Sequence, residues 1–373
     1  MTRITLGAAA LLLGTASTAA ALGLDRSGQD IGAIFEPGNF ARLSFGYTQP
    51  TISGTDRLGN DTGNVGRDFT TVSGALTFAV DPSISVGIIV DQPYGADVRY
   101  EGNPATTLLG GTAAELDSLA LTFLGRYRFD NGFSVHAGAR QLRLDGAVTL
   151  SGQAYGPLNG YNVTLDDGSG WGYVVGGAFE RPDIALRVAL TYSSAIDVEF
   201  DSVERVGPAV VARGTTTVTA PESVNLDFQT GIAADTLLFG QIRWADYPSL
   251  RVTPPFFGSA TGGGSITDIE DTMSYTLGIG RRLTDQIAGR VSVIYEPKTG
   301  DDLKSPLTPY NGQIALAAGI GYDVTEQINV SGGVRYTWFG DAAAATGGCA
   351  DVGCAPFDGN TALSVGMQVA YRF

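Results

Sequence analysis

Residues 329–339 read Asn-Val-Ser-Gly-Gly-Val-Arg-Tyr-Thr-Trp-Phe, and the spacing of their apolar residues decides the fold. One set contains Val330, Gly332, Val334, Tyr336 and Trp338, and the other contains Asn329, Ser331, Gly333, Arg335 and Thr337. Successive strand side chains point to opposite faces, so this alternation predicts a β-strand with one apolar and one polar face. Residues 361–373 alternate in the same way. A soluble β-sandwich would also alternate, so the pattern alone leaves that class open.

The turn residues divide the chain into fourteen such segments. They are predicted at residues 40–48, 68–79, 84–92, 115–129, 132–144, 170–180, 184–196, 213–233, 236–246, 271–283, 286–297, 311–322, 327–339 and 361–373. Short joins, which contain Asp, Asn, Gly, Pro or similar turn formers, alternate with long joins. The long joins are predicted at residues 49–67, 93–114, 145–169, 197–212, 247–270, 298–310 and 340–360.

An even number of antiparallel strands, with tight turns at one end and long loops at the other, is typical of outer-membrane barrels. Lipid cannot satisfy the backbone groups of an open sheet edge, so such a sheet must close. We therefore predict an all-β fold over residues 40–373, a 14-stranded antiparallel transmembrane β-barrel with short periplasmic turns and long extracellular loops. A soluble all-β protein is the alternative.

The N-terminus predicts export to the bacterial outer membrane. Met1-Thr2-Arg3 is followed by an uncharged apolar run at residues 4–16 and by small residues up to Ala21. This order predicts a cleaved signal peptide over residues 1–21, and a retained membrane anchor is the alternative. The apolar run is too short to span a bilayer as a helix. Residues 22–39 are then left as a short N-terminal plug, or hatch, inside the barrel.

The composition excludes several other classes. Charged residues make up 16% of the chain, below the roughly 25% of soluble domains. The formal net charge of −15 argues against nucleic acid as a partner, because phosphate binding needs clustered Lys and Arg. Cys349 and Cys354 lie five positions apart, and in an exported protein they predict a loop disulfide. With His136 as the single histidine, we expect no metal site, no catalytic triad, no cofactor and no enzyme activity.

Five segments, in order along the chain, share short motifs. They are Gln92-Pro93-Tyr94-Gly95-Ala96-Asp97, Gly170-Trp171-Gly172-Tyr173, Leu190-Thr191-Tyr192-Ser193-Ser194, Ala220-Pro221-Glu222-Ser223-Val224 and Trp244-Ala245-Asp246-Tyr247. Together they resemble the outer-membrane long-chain fatty-acid transporter family, FadL and its aromatic-hydrocarbon relatives. The terminal Phe373 resembles the C-terminal signature of bacterial outer-membrane barrels. The resemblance covers residues 35–373. The family hatch is usually about twice as long as residues 22–39, which puts the gating mechanism in doubt.

The resemblance implies passive transport of long-chain fatty acids or related hydrophobic compounds. It implies capture at the extracellular loops, transfer to a lumenal pocket and lateral exit near the third strand. We expect a hydrophobic small molecule, outer-membrane lipid and lipopolysaccharide as partners, and a monomer. A general diffusion porin and a structural or adhesive barrel are the alternatives, and the short hatch favours the porin.

The lateral exit is expected at Gln92, Pro93, Tyr94 and Gly95, because Pro93 has no N–H to donate to the sheet. The alternative is that Pro93 only begins an extracellular loop.

The first capture site is expected in the loops, where residues 252–257 form an apolar run. An exposed apolar patch often marks a binding site. The candidates are Leu108, Leu109, Leu250, Pro255, Phe256 and Phe257. The alternative is that these side chains pack the loop itself.

A carboxylate in the lumen would need a cation or several donors. By strand alternation Arg126, Arg140, Arg290 and Arg335 point inward, and we expect Arg140 and Arg335 first. Lys298 and Lys304, near the outer rim, are weaker candidates, and His136 is expected to be an ordinary lumenal side chain. The alternative is that the arginines only pair with barrel carboxylates.

Overall fold

A computed structural model describes residues 24–373, so the predicted signal peptide lies outside the described residues. The strands are β1 Phe40–Thr51, β2 Phe69–Ala79, β3 Ile84–Asp91, β4 Ala96–Arg99, β5 Ala113–Arg128, β6 Phe133–Leu150, β7 Tyr161–Arg181, β8 Leu186–Ser193, β9 Ile196–Val206, β10 Ala209–Ala220, β11 Ser223–Ala233, β12 Thr236–Ala245, β13 Thr272–Arg282, β14 Ile287–Glu296, β15 Leu303–Lys304, β16 Gln313–Asp323, β17 Ile328–Phe339, β18 Ala342–Ala344, β19 Ala355–Phe357 and β20 Thr361–Arg372. The helices are α1 Pro255–Thr261 and five 3₁₀ turns, Gly32–Phe35, Gln153–Leu158, Pro182–Ile184, Tyr247–Ser249 and Gly347–Cys349.

The main sheet closes on itself. Each strand pairs antiparallel with its neighbours, and β1 pairs with β20 from Phe40↔Arg372 to Thr51↔Thr361, which joins the two ends of the sheet. Three of the fourteen spans are interrupted, namely β3/β4, β8/β9 and β10/β11. The predicted 14-stranded antiparallel barrel is confirmed. No helix among residues 24–373 is long and apolar enough to cross a membrane.

The outer surface carries two aromatic belts around an apolar band. Phe78, Tyr127, Phe129, Phe133, Tyr322, Tyr371 and Phe373 are exposed near the short turns, and Tyr47, Trp171, Tyr173, Tyr275, Tyr295, Tyr336 and Trp338 are exposed nearer the long loops. Aromatic rings favour the two membrane interfaces, so the belts mark the lipid-facing zone. The C-terminal residue belongs to the lower belt, because the ring of Phe373 stacks on Tyr371 and meets the edge of Phe78.

Two of the predicted long loops are wrong. The predicted loop at residues 197–212 is the β9–β10 hairpin, and the predicted loop at 145–169 is largely the extended ends of β6 and β7. Asp197, Glu199 and Asp201 face outward, whereas the residues between them are buried. Above the membrane the outer face meets water and the inner face is apolar, so the alternation is inverted relative to the lipid-facing zone. A search for apolar outward faces therefore mistakes these strands for loops.

The barrel interior has two zones. In its extracellular half, loops and strands bury a large apolar cluster around Leu142, Tyr161, Phe200 and Phe357. A three-stranded sheet of β15, β18 and β19 lies in this half, and a disulfide joins Cys349 to Cys354 beside it. Nearer the short turns, a cavity of about 230 Å³ is lined mainly by polar side chains. The boundary between the two zones positions the candidate pathway.

Candidate transport pathway

The N-terminal segment Leu24–Asn39 runs through the lumen and is tied to strands on several sides. Asp25 accepts a hydrogen bond from Arg243 at 2.6 Å, Asn225 donates to the carbonyl of Gly28 at 2.8 Å, Arg42 pairs with Asp30 at 2.5 Å, and Arg372 pairs with Glu36 at 2.7 Å. The 3₁₀ turn Gly32–Phe35 packs its apolar side chains against a second small cluster on the wall. We call residues 24–39 the plug.

The wall is broken between β2 and β3. Their pairing ends at Gly74↔Val90 and resumes only at the isolated bridge Gly66↔Val98. Within this interval the backbone N–H of Val72 donates to the side-chain oxygen of Gln92 at 2.8 Å instead of to a neighbouring strand. The lumenal cavity reaches this interval, since Val72 and Gln92 are among its lining residues. The structure therefore has a lateral gap here, at the level of Tyr47 in the upper aromatic belt.

The gap forms because residues 92–95 turn into the lumen. Gly95 donates its N–H to the carbonyl of Leu24, and Arg26 donates its N–H to the carbonyl of Pro93, at 2.9 and 2.8 Å. These bonds to the plug replace bonds that β2 would otherwise supply. The Arg26 guanidinium lies 4.1 Å from the ring centroid of Phe69, on the opposite side of the gap. A cation over an aromatic face is attractive, so plug and wall hold each other at the gap.

Two of the sequence motifs meet in the lumen. The hydroxyl of Tyr94, in the first motif, lies 3.3 Å from the carbonyl of Pro221, in the fourth. Gln29 of the plug donates to the Tyr94 hydroxyl at 2.8 Å, and its own oxygen accepts from Ser223 at 3.1 Å and from Arg140 at 2.6 Å. Gln29 is therefore the centre of a buried polar cluster that connects the broken strand to the opposite wall.

The predicted capture residues lie in the apolar cluster of the extracellular half. The expectation that they form an exposed patch is wrong for Leu109, Leu250 and Phe257, which are 1%, 5% and 6% exposed. Leu108 and Phe256 are half-buried and pack against the same cluster. Pro255 is exposed. The loops fold back over the barrel mouth because burying these side chains removes apolar area from water.

Glu204 holds the short helix that carries two of these residues. Its carboxylate is 1% exposed and accepts the backbone N–H groups of Phe256 and Phe257, each at 2.8 Å, and the hydroxyl of Tyr161 at 2.8 Å. An anion at a helix N-terminus is favourable because the first N–H groups have no partner within the helix. Burial, followed by this hydrogen bond to Glu204, raises the pKa of Tyr161.

We expect Glu204→Ala to loosen α1, because it leaves two backbone donors and a buried hydroxyl without an acceptor. The local stability should fall by about 1–3 kcal/mol. Hydrogen exchange at the amides of Phe256 and Phe257 measures this, and Glu199→Ala, on the exposed face of the same strand, is the control. Unchanged exchange at both amides would show that Glu204 does not hold the helix.

Asp56 holds a neighbouring loop and fixes Leu108. Its carboxylate accepts the backbone N–H of Leu108 at 2.9 Å, and it also accepts those of Leu58 and Asn60. Burial raises the pKa of Asp56, but these hydrogen bonds together outweigh burial and the pKa is lowered. The carboxylate is therefore charged at neutral pH, which favours the bonds that hold the loop.

The four predicted lumenal arginines all lie in the barrel interior, but the structure does not bring them together. Arg126 forms an ion pair with Glu180 and packs its guanidinium 4.7 Å from the ring centroid of Phe35. Arg140 donates to Thr122, Gln29 and Ser193. Arg290 and Arg335 line the cavity.

Arg335 differs from Arg140 in its hydrogen bonding. It is 2% exposed, and its Nε and one Nη atom have no hydrogen-bond partner within the described chain. Ala317 and Ser364 lie directly opposite it on the neighbouring strands, and Gly333 precedes it on the same face. These small side chains leave room for a ligand beside the guanidinium.

The weaker candidates have structural partners. Lys298 pairs with Asp302 at 3.2 Å and Lys304 pairs with Glu270 at 2.6 Å, both in the extracellular loops. His136 is buried, and its Nε2 lies 3.0 Å from the hydroxyl oxygen of Thr191. Among residues 24–373 no group of three or more His, Cys, Asp or Glu side chains is placed to hold a metal ion.

Sequence reasoning missed the plug residues that organise the pathway. Asp25, Arg26 and Gln29 contact Arg243, Phe69 and Tyr94, which are distant in sequence. The plug sequence has no periodic pattern that would have identified them. The one available signal was three polar or charged residues in a short segment expected inside a barrel.

Comparison with known proteins gives the family. The profile described as "Outer membrane protein transport protein (OMPP1/FadL/TodX)" matches residues 31–373. The chain belongs to the FadL/TodX family. Its members are transport proteins of the outer membrane, so the protein is an outer-membrane transporter and not an enzyme. No curated protein matches significantly.

Solved structures of the FadL/TodX family share the fold at low sequence identity. A Pseudomonas aeruginosa FadL homologue is 15% identical with a TM-score of 0.70, over 95% of this chain and 96% of that one. The P. putida toluene transporter TodX is 13% identical with a TM-score of 0.65, over 92% of each chain. The Ralstonia pickettii toluene transporter TbuX is 11% identical with a TM-score of 0.65, over 92% and 91%.

Proposed function

We propose that this protein carries long-chain fatty acids or related hydrophobic compounds passively across the outer membrane. The compound enters among the apolar side chains of the extracellular half, passes into the lumenal cavity and leaves sideways between β2 and β3. The observation that carries this proposal is the lateral gap at Val72 and Gln92, which the cavity reaches. The titles of the structural relatives TodX and TbuX name toluene, which supports a hydrophobic substrate.

The direct test is uptake. A strain that lacks the gene should take up radiolabelled oleate or toluene slowly, and expression of the protein should restore the uptake of at least one of them. Uptake of neither compound, with the protein correctly inserted in the outer membrane, would contradict the proposal. Uptake is expected from a monomer, and gel filtration in detergent tests that expectation.

Entry would begin at the half-buried members of the cluster, Leu108 and Phe256, and at the exposed Pro255. Leu109, Leu250 and Phe257 lie behind them and would contact the substrate after the loops separate. Replacing Phe256 and Phe257 with Ser tests this step, because it makes the entry polar without adding bulk.

Arg335 is the proposed site for an acidic head group. A buried guanidinium with unpartnered donors binds a carboxylate strongly, and Ala317 and Gly333 leave room for one. Glu296 attracts this guanidinium electrostatically, but its carboxylate accepts a hydrogen bond from Gln313 at 2.7 Å. Arg140 is a weaker candidate, because its donors already bind Thr122, Gln29 and Ser193.

Arg335→Met is expected to lower oleate uptake and to leave toluene uptake unchanged, because only oleate carries a carboxylate. The loss of one charge-assisted contact, at about 1.5–3 kcal/mol, corresponds to roughly a tenfold or greater fall in oleate uptake. Paired uptake measurements in the same cells check this. Equal changes for the two compounds would show that Arg335 does not read the head group.

A further inference from the structure

The inner face of β17 carries a row of polar atoms without partners. Along this strand the inward-facing residues with polar side chains are Asn329, Ser331, Arg335 and Thr337, and within the described chain each has at least one buried polar atom with no hydrogen-bond partner. Gln313, at the facing end of β16, has another. We call these five residues the β17 polar row. Half of the unpartnered buried polar atoms found among residues 24–373 belong to this row.

The row extends over most of the membrane span. Asn329 lies at the short-turn end of the strand, beside Asp323, and Thr337 lies one residue before the exposed Trp338 of the upper belt. At about 3.3 Å per residue, the eight steps between Asn329 and Thr337 cover roughly 26 Å along the strand. This length is close to the height of the apolar band of such barrels. The row therefore connects the two interfaces along a single strand.

The plug does not cover this side of the lumen. Its hydrogen bonds and ion pairs described above go to β1, β3, β6, β11, β12 and β20. The cavity lies on the other side, where its lining includes Ser292 of β14, Ala317 of β16 and Gly333 and Arg335 of β17. The unfilled part of the barrel therefore borders the centre of the row.

Buried polar atoms are normally hydrogen-bonded to protein or to water, because an unpartnered group in an apolar surrounding is destabilising. A single orphan is common, but a row along one strand face requires a continuous partner. Water is the smallest such partner, and the cavity of about 230 Å³ greatly exceeds the roughly 10–15 Å³ that one water needs. Interior polar faces of this kind line the aqueous channels of porins.

We propose that the β17 polar row lines a narrow hydrated path, past the plug, that conducts water and small hydrophilic solutes between the two sides of the outer membrane. This path is separate from the lateral route for hydrophobic compounds. The hydrophobic compound leaves through the gap beside β3, whereas the hydrated path follows β17 along the barrel axis. The guanidinium of Arg335 lies midway along it and favours small anions over cations of similar size.

The test uses purified full-length barrel in phospholipid vesicles, with swelling in isotonic glycine as the readout and stachyose as the solute too large to enter. Wild-type vesicles should swell in glycine faster than protein-free vesicles and should not swell in stachyose. Ala317→Phe, which places a ring beside Arg335 in the cavity, should slow glycine entry about tenfold, as expected for blocking a narrow pore. Val334→Phe, on the lipid-facing side of the neighbouring strand, is the matched control and should swell as wild type does.

A second variant tests the polar row without adding bulk. Ser331→Ala with Thr337→Val removes two unpartnered polar atoms at nearly constant volume. In a hydrated path these changes remove water sites, so glycine entry slows while the thermal unfolding temperature does not rise. In a dry barrel the same changes raise the unfolding temperature and leave swelling at the protein-free rate.

Two outcomes would overturn the proposal: wild-type vesicles that swell no faster than protein-free ones, or an Ala317→Phe barrel, shown folded by its heat-modifiable migration, that swells as fast as wild type. Oleate uptake is measured on the same preparations. Uptake without swelling removes only the hydrated path, and swelling without uptake removes only the proposed hydrophobic transport. Anion preference follows from the reversal potential in a KCl gradient.

Discussion

Replacing Gln92 with isoleucine and Pro93 with threonine is expected to lower the uptake of hydrophobic compounds about tenfold, equivalent to roughly 1.4 kcal/mol on the barrier. Pro93 has no N–H, and Gln92 offers β2 a side-chain oxygen where a strand would offer a carbonyl. Threonine and isoleucine are strand formers. The substituted segment should therefore pair with β2 beyond Gly74 and narrow the gap.

The measurement is initial uptake of labelled oleate and toluene by cells with equal amounts of inserted barrel. Pro182→Thr, an exposed proline in a periplasmic turn, is the matched control for the proline substitution. Hydrogen exchange at the Val72 amide reports directly whether the gap has closed. A protected Val72 amide with wild-type uptake would exclude the gap as the exit.

The second large effect is expected from Arg140→Met, which should destabilise the barrel by about 2–4 kcal/mol. Arg140 is 4% exposed and donates to three side chains, one of which is the plug residue Gln29. Methionine retains much of the volume but leaves these acceptors buried without their donor. The loss should free the plug as well as lower the stability, because Gln29 also binds Tyr94.

Arg335→Met is the matched comparison, because both arginines are buried, inward-facing and changed to the same residue. Removing a guanidinium whose donors have no partner costs little, and apolar replacement of buried charge is often neutral or stabilising. Urea unfolding in lipid vesicles should therefore separate the two variants by sign or by several-fold in magnitude. Equal destabilisation would show that the hydrogen bonds of Arg140 do not account for its effect.

The alternation in residues 329–339 was enough to predict the strand, its lipid-facing side and, with the turn spacing, the fourteen spans. It was enough because a strand in lipid must show an apolar face to the bilayer at every second residue. The same rule failed at residues 197–212, where the outer face meets water and the charged residues alternate with buried ones instead. Local pattern reports a strand's surroundings, and the surroundings change at the membrane surface.

The candidate site was predicted less completely. Pro93 indicated the break in the third span, because a missing N–H is a local property of the residue. Strand parity placed Arg140 and Arg335 inside the barrel but could not separate them, because their partners come from other strands and from the plug. The apolar run at residues 252–257 was visible, but its burial depends on Glu204 and on the loops that fold over it.

The sequence by itself therefore determined the barrel, its orientation and the position of the broken strand, since each follows from the chemistry of neighbouring residues. Only the tertiary structure decided which buried polar groups are partnered, because a hydrogen bond within a closed barrel joins residues that may be two hundred positions apart, as Gln29 and Ser223 are. Closure of the sheet brings such residues together, and no local pattern carries that distance.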